Sequence, residues 1–540
     1  MPFSRKLLIM GQFLLIVFYL AILLSCSSQP LKSREHTSTL SPAEAQADPN
    51  YPLALAFNNL LKDLPEEETH LEIAKKECHK NPSLALCSPL KKLKVLKKLL
   101  SKKTTVYQPL GIKPLAPLAP IFLKNRITNW QIIRKTPIPN LLKGFLSLTK
   151  EQLQWVSQRS QMEKKCPNNA AIAAAATLED YLPDEIPFTL LASLYERGGI
   201  CTKNSPIDRE HFLTRSGIFY FISKDYKKAS AILAKINPTD AYSGRTAYWL
   251  YRSKKQEGDT HGASQVLSRL AKHHRFSFHN LVASHQENQE PPPEHSRSLS
   301  FPTRSSKFKQ FNNDIQSVEL LIRLGFEESA HLIVDWLLTQ PKTLEPGLRV
   351  YLAQLGDAQA KVMQLPGILM FRPELISKET LTLNFPQAYF PLFEKYRRGT
   401  SPYLLLALAR RESSFNPKAV SPANAQGLLQ MNPDTVKELY PENKFDLLDA
   451  ETNITIASKY LEKVLDEMNG DLPLTLAAYN AGEAQAKNWK KRYPREDKVM
   501  WIDLIPYRET RDYVANVLSS YHWYRKLYEN NSDFSDLLVK

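Results

Sequence analysis

The chain has 540 residues, 43% of them hydrophobic and 23% charged, with a formal charge of +16 and a pI near 9.3. That length exceeds what one hydrophobic core supports, so about three or four domain-sized units are expected, and seventeen glycines among many Leu, Ala and Lys favour helices over sheets. The basic balance selects acidic partners, but the sequence has no zinc-ligand spacing, no RNP-like stretch and no dense arginine stripe, which argues against a nucleic-acid binder.

The chain opens "MPFSRKLLIMGQFLLIVFYLAILLSCSSQP". Arg5 and Lys6 precede an apolar run to Leu24, the layout of a secretory signal. The run is also long enough for an uncleaved membrane anchor. "LLSC" resembles the bacterial lipobox, with small Ser25 before Cys26, although Leu24 is bulkier than usual there. The resemblance implies a lipid on Cys26 and removal of residues 1–25. Lipidation would hold the protein on a membrane face, the outer membrane before the inner, in the periplasm. Residues 26–50 are polar, without apolar period, and are expected to be a flexible tether.

The other cysteines are Cys78, Cys87, Cys166 and Cys201. An even number in an exported chain permits two disulfides in three pairings. Cys78 with Cys87 and Cys166 with Cys201 close the shortest loops; the alternative is four unpaired thiols. No CxxC occurs, which argues against a redox role.

Residues 51–380 are expected to be an α-helical superhelical region. "LKKLKVLKKLLSKK" (90–103) is basic and amphipathic, fit either to touch a membrane or acidic polymer or to pack with a lysine-rich outer face. Ala229 lies four residues before Leu233, and Ala263 four before Leu267, the two pairs 34 residues apart; Ala330 and Val334 follow about two periods on. Small and large apolar residues in step at that period predict stacked helical hairpins of the tetratricopeptide kind. A polar, proline-rich loop is expected at 286–309, and Pro366, Pro373 and Pro386 are expected to punctuate the exit from the solenoid.

The last domain is expected at 381–540. Ser401 and Pro402 start a helix as N-cap and first residue. Leu405, Leu408 and Glu412 follow at spacings of three and four, so Glu412 shares the inward face, with Asn416 and Pro417 to stop the helix. A carboxyl there is desolvated and keeps its proton to higher pH, as a general acid requires; the alternative is an ion pair with Arg410 or Arg411.

Four motifs follow in order: "ESSFNP", "SPANAQGLLQMNP", "LAAYNAG" and "IPYRETRDYV". Together they resemble the catalytic domain of the soluble-type lytic transglycosylases, which is similar to goose-type lysozyme. The helical region before them, best at 245–285, resembles that family's α-superhelix. The resemblance implies an all-α protein: a solenoid followed by a lysozyme-like catalytic domain. It implies cleavage of the MurNAc–GlcNAc β-1,4 bond of peptidoglycan with formation of a 1,6-anhydro sugar. Peptidoglycan strands would be the partner, along with the membrane through the N-terminal lipid and other cell-wall enzymes; no cofactor and no metal is needed.

Carried over by position, Glu412 takes the place of the catalytic acid. Ser421 and Gln430 line the sugar groove, and Gly427 allows close backbone approach. Tyr479 and Asn480 form the other wall, with Gly482 ending their helix, and Glu509 and Tyr513 close on the acid from behind. Each has a plainer alternative: Ser421 as a turn residue, Gln430 as a loop tie, Tyr479 as core, and Glu509 as a residue that orients Arg511 or Tyr513. Departures at Leu429, Asn432 and Glu483–Gln485 bear on substrate preference more than on activity. The rival readings are a hydrolytic lysozyme or chitinase on the same fold and a non-catalytic helical scaffold that binds glycan.

Overall fold

The computed structural model describes residues 39–62, 67–82, 84–104, 122–123, 126–127, 130–181, 186–236, 244–288, 311–340, 346–530 and 533–538. Cys26, residues 1–25 and most of the 286–309 loop lie outside them. Among the described residues the fold is all-α, as expected, apart from one two-residue antiparallel pair, Phe122–Leu123 with Arg126–Ile127. No helix among them is long and apolar enough to cross a membrane.

The chain forms two compact units, one of residues 1–102 with 302–343 and one of 103–301 with 344–540. In the first, helices Tyr51–Leu61 and Glu67–Lys80 pack together, and so do Asn312–Arg323 and Glu327–Leu338. Cys78 and Cys87 are bonded here. The tether expected over 26–50 does not hold for its last twelve residues. Ser41 and Glu44 form a reciprocal capping box at the start of helix Pro42–Ala47, Leu40 N–H donates to the Arg323 carbonyl at 2.8 Å, and Asp48 pairs with Arg323 at 2.9 Å. A Ser-x-x-Glu signal and an arginine distant in sequence outweigh the polar composition.

The second unit is built from sequential helical hairpins. Helix Phe188–Cys201 packs on Pro206–Ile222, and Arg245–Gln256 on Thr260–His273. The spaced apolar pairs are core: Ala229, Leu233, Ala263 and Leu267 are all buried. Small residues set the hairpin distances; a Cβ on Gly217 would lie 2.4 Å from Leu233 Cγ, so only glycine fits. Cys166 and Cys201 are bonded in this unit. Pro366 does not break the chain as expected. Helix Ala358–Phe371 runs through it, held on either side by buried Leu365 and Leu369.

A buried charge network joins these hairpins to the last helices of the same unit. Asp503, in helix Lys498–Leu504, is fully buried and accepts from Arg245 Nε (2.6 Å), His279 Nε2 (2.8 Å) and Trp249 Nε1 (2.7 Å). Arg245 also reaches Asp512 at 2.7 Å, and Arg215 is paired with Glu179 and donates to the carbonyls of Asp503 and Leu504. Burial alone would raise the Asp503 carboxyl; His279 and Arg245 outweigh it and hold the group well below the usual range. This network fixes the start of helix Arg508–Tyr528, the element that supplies one wall of the site.

Candidate active site

Helix Pro402–Glu412 begins as expected, with Ser401 Oγ accepting from Tyr403 N–H. Every residue from Leu404 to Ala409 is buried, so the helix is core on all sides until its last turn. It stops at Glu412, before Asn416 and Pro417. Ser414 and Phe415 turn left-handed (φ 52° and 67°), Phe415 N–H bonds back to Ala409 O at 3.3 Å, and the Phe415 ring is buried. A buried aromatic ring compensates for two unfavourable backbone conformations. Ser413, which the sequence did not single out, donates to Leu428 O at 2.8 Å and ties the helix end to the next motif.

Glu412 is half-buried. Its Oε1 accepts a 2.6 Å hydrogen bond from the Tyr513 hydroxyl. Neither arginine beside it forms an ion pair with it: Arg410 turns to the Asn384 carbonyl and lies over the Phe385 ring, and Arg411 is exposed. Burial pushes the Glu412 carboxyl up to about 7; the Tyr513 hydroxyl and Arg411 oppose the rise, and the charge of Glu509 adds to it. Tyr513 and Tyr479 are pushed well above the usual phenol range by burial and then by the charge of Glu412, so both stay protonated. Glu412, Tyr513, Tyr479 and Glu509 are thus electrostatic neighbours.

Glu509 is exposed, in the first turn of helix Arg508–Tyr528, and its carboxylate has no hydrogen bond or ion pair among the described residues. It does not orient Arg511 or Tyr513. Arg511 is buried and donates instead to the Ile505 and Pro506 carbonyls and to His211 Nδ1 at 3.3 Å, because carbonyls at the helix start lie nearer than an exposed carboxylate.

The loop 419–431 is held from inside. Val420 bridges Gln426, and Gln426 bridges Met431. Ser421 Oγ accepts from Ala425 N–H at 3.0 Å, and Gln430 Nε2 donates to the carbonyls of Ala419 (3.1 Å) and Gly427 (2.9 Å). These contacts leave the Ser421 hydroxyl proton and the Gln430 carbonyl oxygen for a ligand. Gly427 has φ +79°, and a Cβ there would lie 2.2 Å from Leu447 O and 2.3 Å from Asn453 Nδ2. The close approach expected at this glycine is therefore made by the protein itself. Asn453 is the organiser that the sequence did not disclose. It is fully buried and bonds the Leu429 N–H and the carbonyls of Gln426 and Leu447, each at 2.9 Å. Its only signal was a polar residue on the inward face of helix Ala450–Glu467. Gly427→Ala is expected to cost ~2 kcal/mol or more, from backbone strain and the clash together, seen as a lower urea midpoint.

Tyr479 and Asn480 lie in the last turn of helix Leu472–Ala481, which Gly482 (φ +88°) ends as expected. The Tyr479 hydroxyl donates to Leu429 O at 2.9 Å, and its ring packs on Tyr460, centroids 5.4 Å apart. Asn480 is half-buried and its amide has no partner among the described residues.

A cavity of about 560 Å³ in the same unit is lined by Arg411 and Arg508, sequence neighbours of the two glutamates, and by Arg245, Arg275 and Arg511, against Glu210 and Asp512. Among its charged lining residues arginines outnumber carboxylates, six to two. Among the described residues no His, Cys, Asp and Glu cluster could hold a metal ion.

Residues 391–502 match the family described as the transglycosylase SLT domain. Soluble lytic murein transglycosylases of Salmonella typhimurium and Escherichia coli are 39% and 38% identical over 152 residues, covering 26% of this chain and 24% of each relative. A membrane-bound lytic murein transglycosylase F of Pseudoalteromonas translucida is 31% identical over 185 residues, covering 29% of this chain and 37% of that protein. The chain spans about a quarter of the length of the first two. The crystal structure of the 70 kDa soluble lytic transglycosylase of Escherichia coli superposes with a TM-score of 0.54 at 18% identity, over 95% of this chain and 77% of that one, which shows a shared fold. An inactive mutant of the Pseudomonas aeruginosa lytic transglycosylase Slt matches with the same score at 17% identity, over 93% and 75%.

Proposed function

We propose that the chain, whose residues 391–502 match the transglycosylase SLT domain, is a peptidoglycan lytic transglycosylase with Glu412 as its catalytic acid. The observation that carries this is the carboxyl at the end of a buried helix, unpaired with arginine and holding its proton up to about 7. Glu412 protonates the glycosidic oxygen between N-acetylmuramic acid and N-acetylglucosamine. The substrate's N-acetyl group supports the anomeric carbon as the bond breaks. Glu412, now ionised and hydrogen-bonded by Tyr513, accepts the proton of the C6 hydroxyl as that oxygen attacks. One residue acts as acid and then as base, and a 1,6-anhydro sugar leaves without consuming water.

The surroundings support these roles. The phenol of Tyr513 stabilises the carboxylate formed in the first half of the reaction, and Glu509 holds the resting group protonated by like-charge repulsion. Ser421, Gln430 and Asn480 offer a hydroxyl proton, a carbonyl oxygen and an amide to the N-acetyl group and its neighbours. Gly427 and Tyr479 keep the loop that carries Ser421 and Gln430 in place. The cationic cavity suits the carboxylates of peptide stems.

We place the residue-381–540 region as the catalytic domain and the helices before it as the solenoid. A lipid on Cys26, after loss of residues 1–25, would keep the enzyme at a membrane face of the periplasm, next to murein. Two disulfides agree with an oxidising compartment.

Mass spectrometry of fragments released from purified murein tests the reaction. Anhydro-ended muropeptides, lighter by one water than hydrolytic ones, are expected. Reducing ends alone would make the protein a hydrolase. Tyr513→Phe tests the acid's environment. Without its donor the carboxylate is less favoured, so the alkaline limb of the pH–rate profile is expected to move up while the maximal rate falls about tenfold. An unmoved limb would remove Tyr513 from the proposal.

A further inference from the structure

We infer that the outer face of helix Leu93–Thr104, with the adjoining end of helix Glu67–Lys80, is a docking surface for an anionic phospholipid membrane. The inference concerns the first compact unit alone and is independent of the proposed catalysis. Its starting point is where the charge lies. From Cys78 to Lys102, where this unit's first segment ends, the chain has seven lysines, no arginine and no Asp or Glu.

The helix sorts its lysines by face. Lys92, just before it, points inward, 2.5 Å from Asp314 Oδ1 and 4.3 Å above the Trp336 ring. Leu96 is fully buried, and Leu93 and Leu99 are half-buried. These contacts fix the helix rotation. Lys91, Lys94 and Lys98 are consequently exposed, at spacings of three and four that place them on one face, and Val95 among them is 49% exposed. The Cys78–Cys87 disulfide, Cα–Cα 5.6 Å, staples the segment entering this helix to the end of helix Glu67–Lys80, where Lys75, Lys76, His79 and Lys80 are exposed. Two basic segments thus belong to one covalently closed element.

The chemistry of the face selects its occupant. From Lys80 to Lys124 every Lys or Arg is a lysine. Ammonium groups are point charges that suit a fluid layer of phosphates, whereas recognition of one fixed anion favours the planar fork of arginine. An exposed valine among lysines lets the alkyl stems and the methyls reach the acyl boundary while the charges stay at the headgroups. A glycan surface would call for an exposed aromatic ring, and Trp336 is already covered by Lys92.

The test is lysine footprinting of the full-length chain on vesicles, with a water-soluble acetylating reagent and mass spectrometry. Acetylation of Lys91, Lys94 and Lys98 is expected to fall at least threefold on phosphatidylglycerol–phosphatidylethanolamine vesicles relative to phosphatidylcholine vesicles, and to recover in roughly 0.5 M salt, where charges are screened within a few ångströms. The combined Lys91→Gln, Lys94→Gln and Lys98→Gln variant should lose the protection of Lys75 and Lys76, while the corresponding Lys→Arg variant retains it, so that loss of fold is distinguished from loss of charge. Equal acetylation on the two vesicles would overturn the inference. So would protection by purified murein but not by anionic vesicles, which would assign the face to the wall polymer.

Discussion

Glu412→Gln is expected to lower the release of muropeptides by roughly 10²–10⁴-fold, the range that one general acid–base group contributes. Gln keeps the shape and still accepts from Tyr513, but it carries no proton to give. The same variant should be no less stable than the parent, and above pH 7 more stable. The native carboxyl holds its proton up to about 7, whereas an unfolded glutamate releases it near pH 4.3. Between those values the native state binds more protons than the unfolded one, so native stability falls as pH rises through that window. Gln removes this slope. Melting curves at acidic and mildly alkaline pH should therefore converge at the acidic end and separate, in favour of the variant, by ~1–3 kcal/mol at the alkaline end. Activity should run the same way, present while Glu412 is protonated and fading as pH rises through about 7. Release undiminished in the variant would remove Glu412 from the reaction and leave a glycan-binding helical scaffold.

The largest stability effect is expected at Asp503→Ala, away from the chemistry. Asp503 is fully buried, and its loss leaves the N–H groups of Trp249 and His279 without their acceptor and Arg245 with Asp512 alone. Breaking such a network by removing one partner costs about 3–5 kcal/mol, roughly 4–6 °C in melting temperature for a unit of this size. The native carboxyl lies well below the ordinary range, so its contribution is full above the unfolded value near pH 3.9 and is lost as pH falls below it. The gap between parent and variant should narrow on acidification from pH 6 to pH 3. A gap that stays constant would mean that packing, not charge, accounts for the effect.

The local signals in the sequence were reliable where one element suffices. Ser401 and Pro402 did start the acid helix, Gly482 did end the Tyr479 helix, and Leu405 and Leu408 did mark the buried face that carries Glu412. The signals misled where a local preference competed with a distant contact. Polar composition named a tether through residue 50, yet Arg323 captures Asp48 and Leu40. Proline named a break at Pro366, yet buried leucines on both sides carry the helix through.

By itself the sequence determined the all-α class, the four motifs, the candidate acid and its inward face, because helix periodicity, caps and motif spacing are properties of short segments. Only the tertiary structure decided what surrounds the acid: that Tyr513, 101 positions later, donates to it, that Arg410 turns away, that Glu509 acts by charge without contact, and that Asn453 holds the loop of Ser421 and Gln430. A carboxyl's proton affinity depends on desolvation and on charges a few ångströms away, and those neighbours come from segments that meet only when the chain has folded.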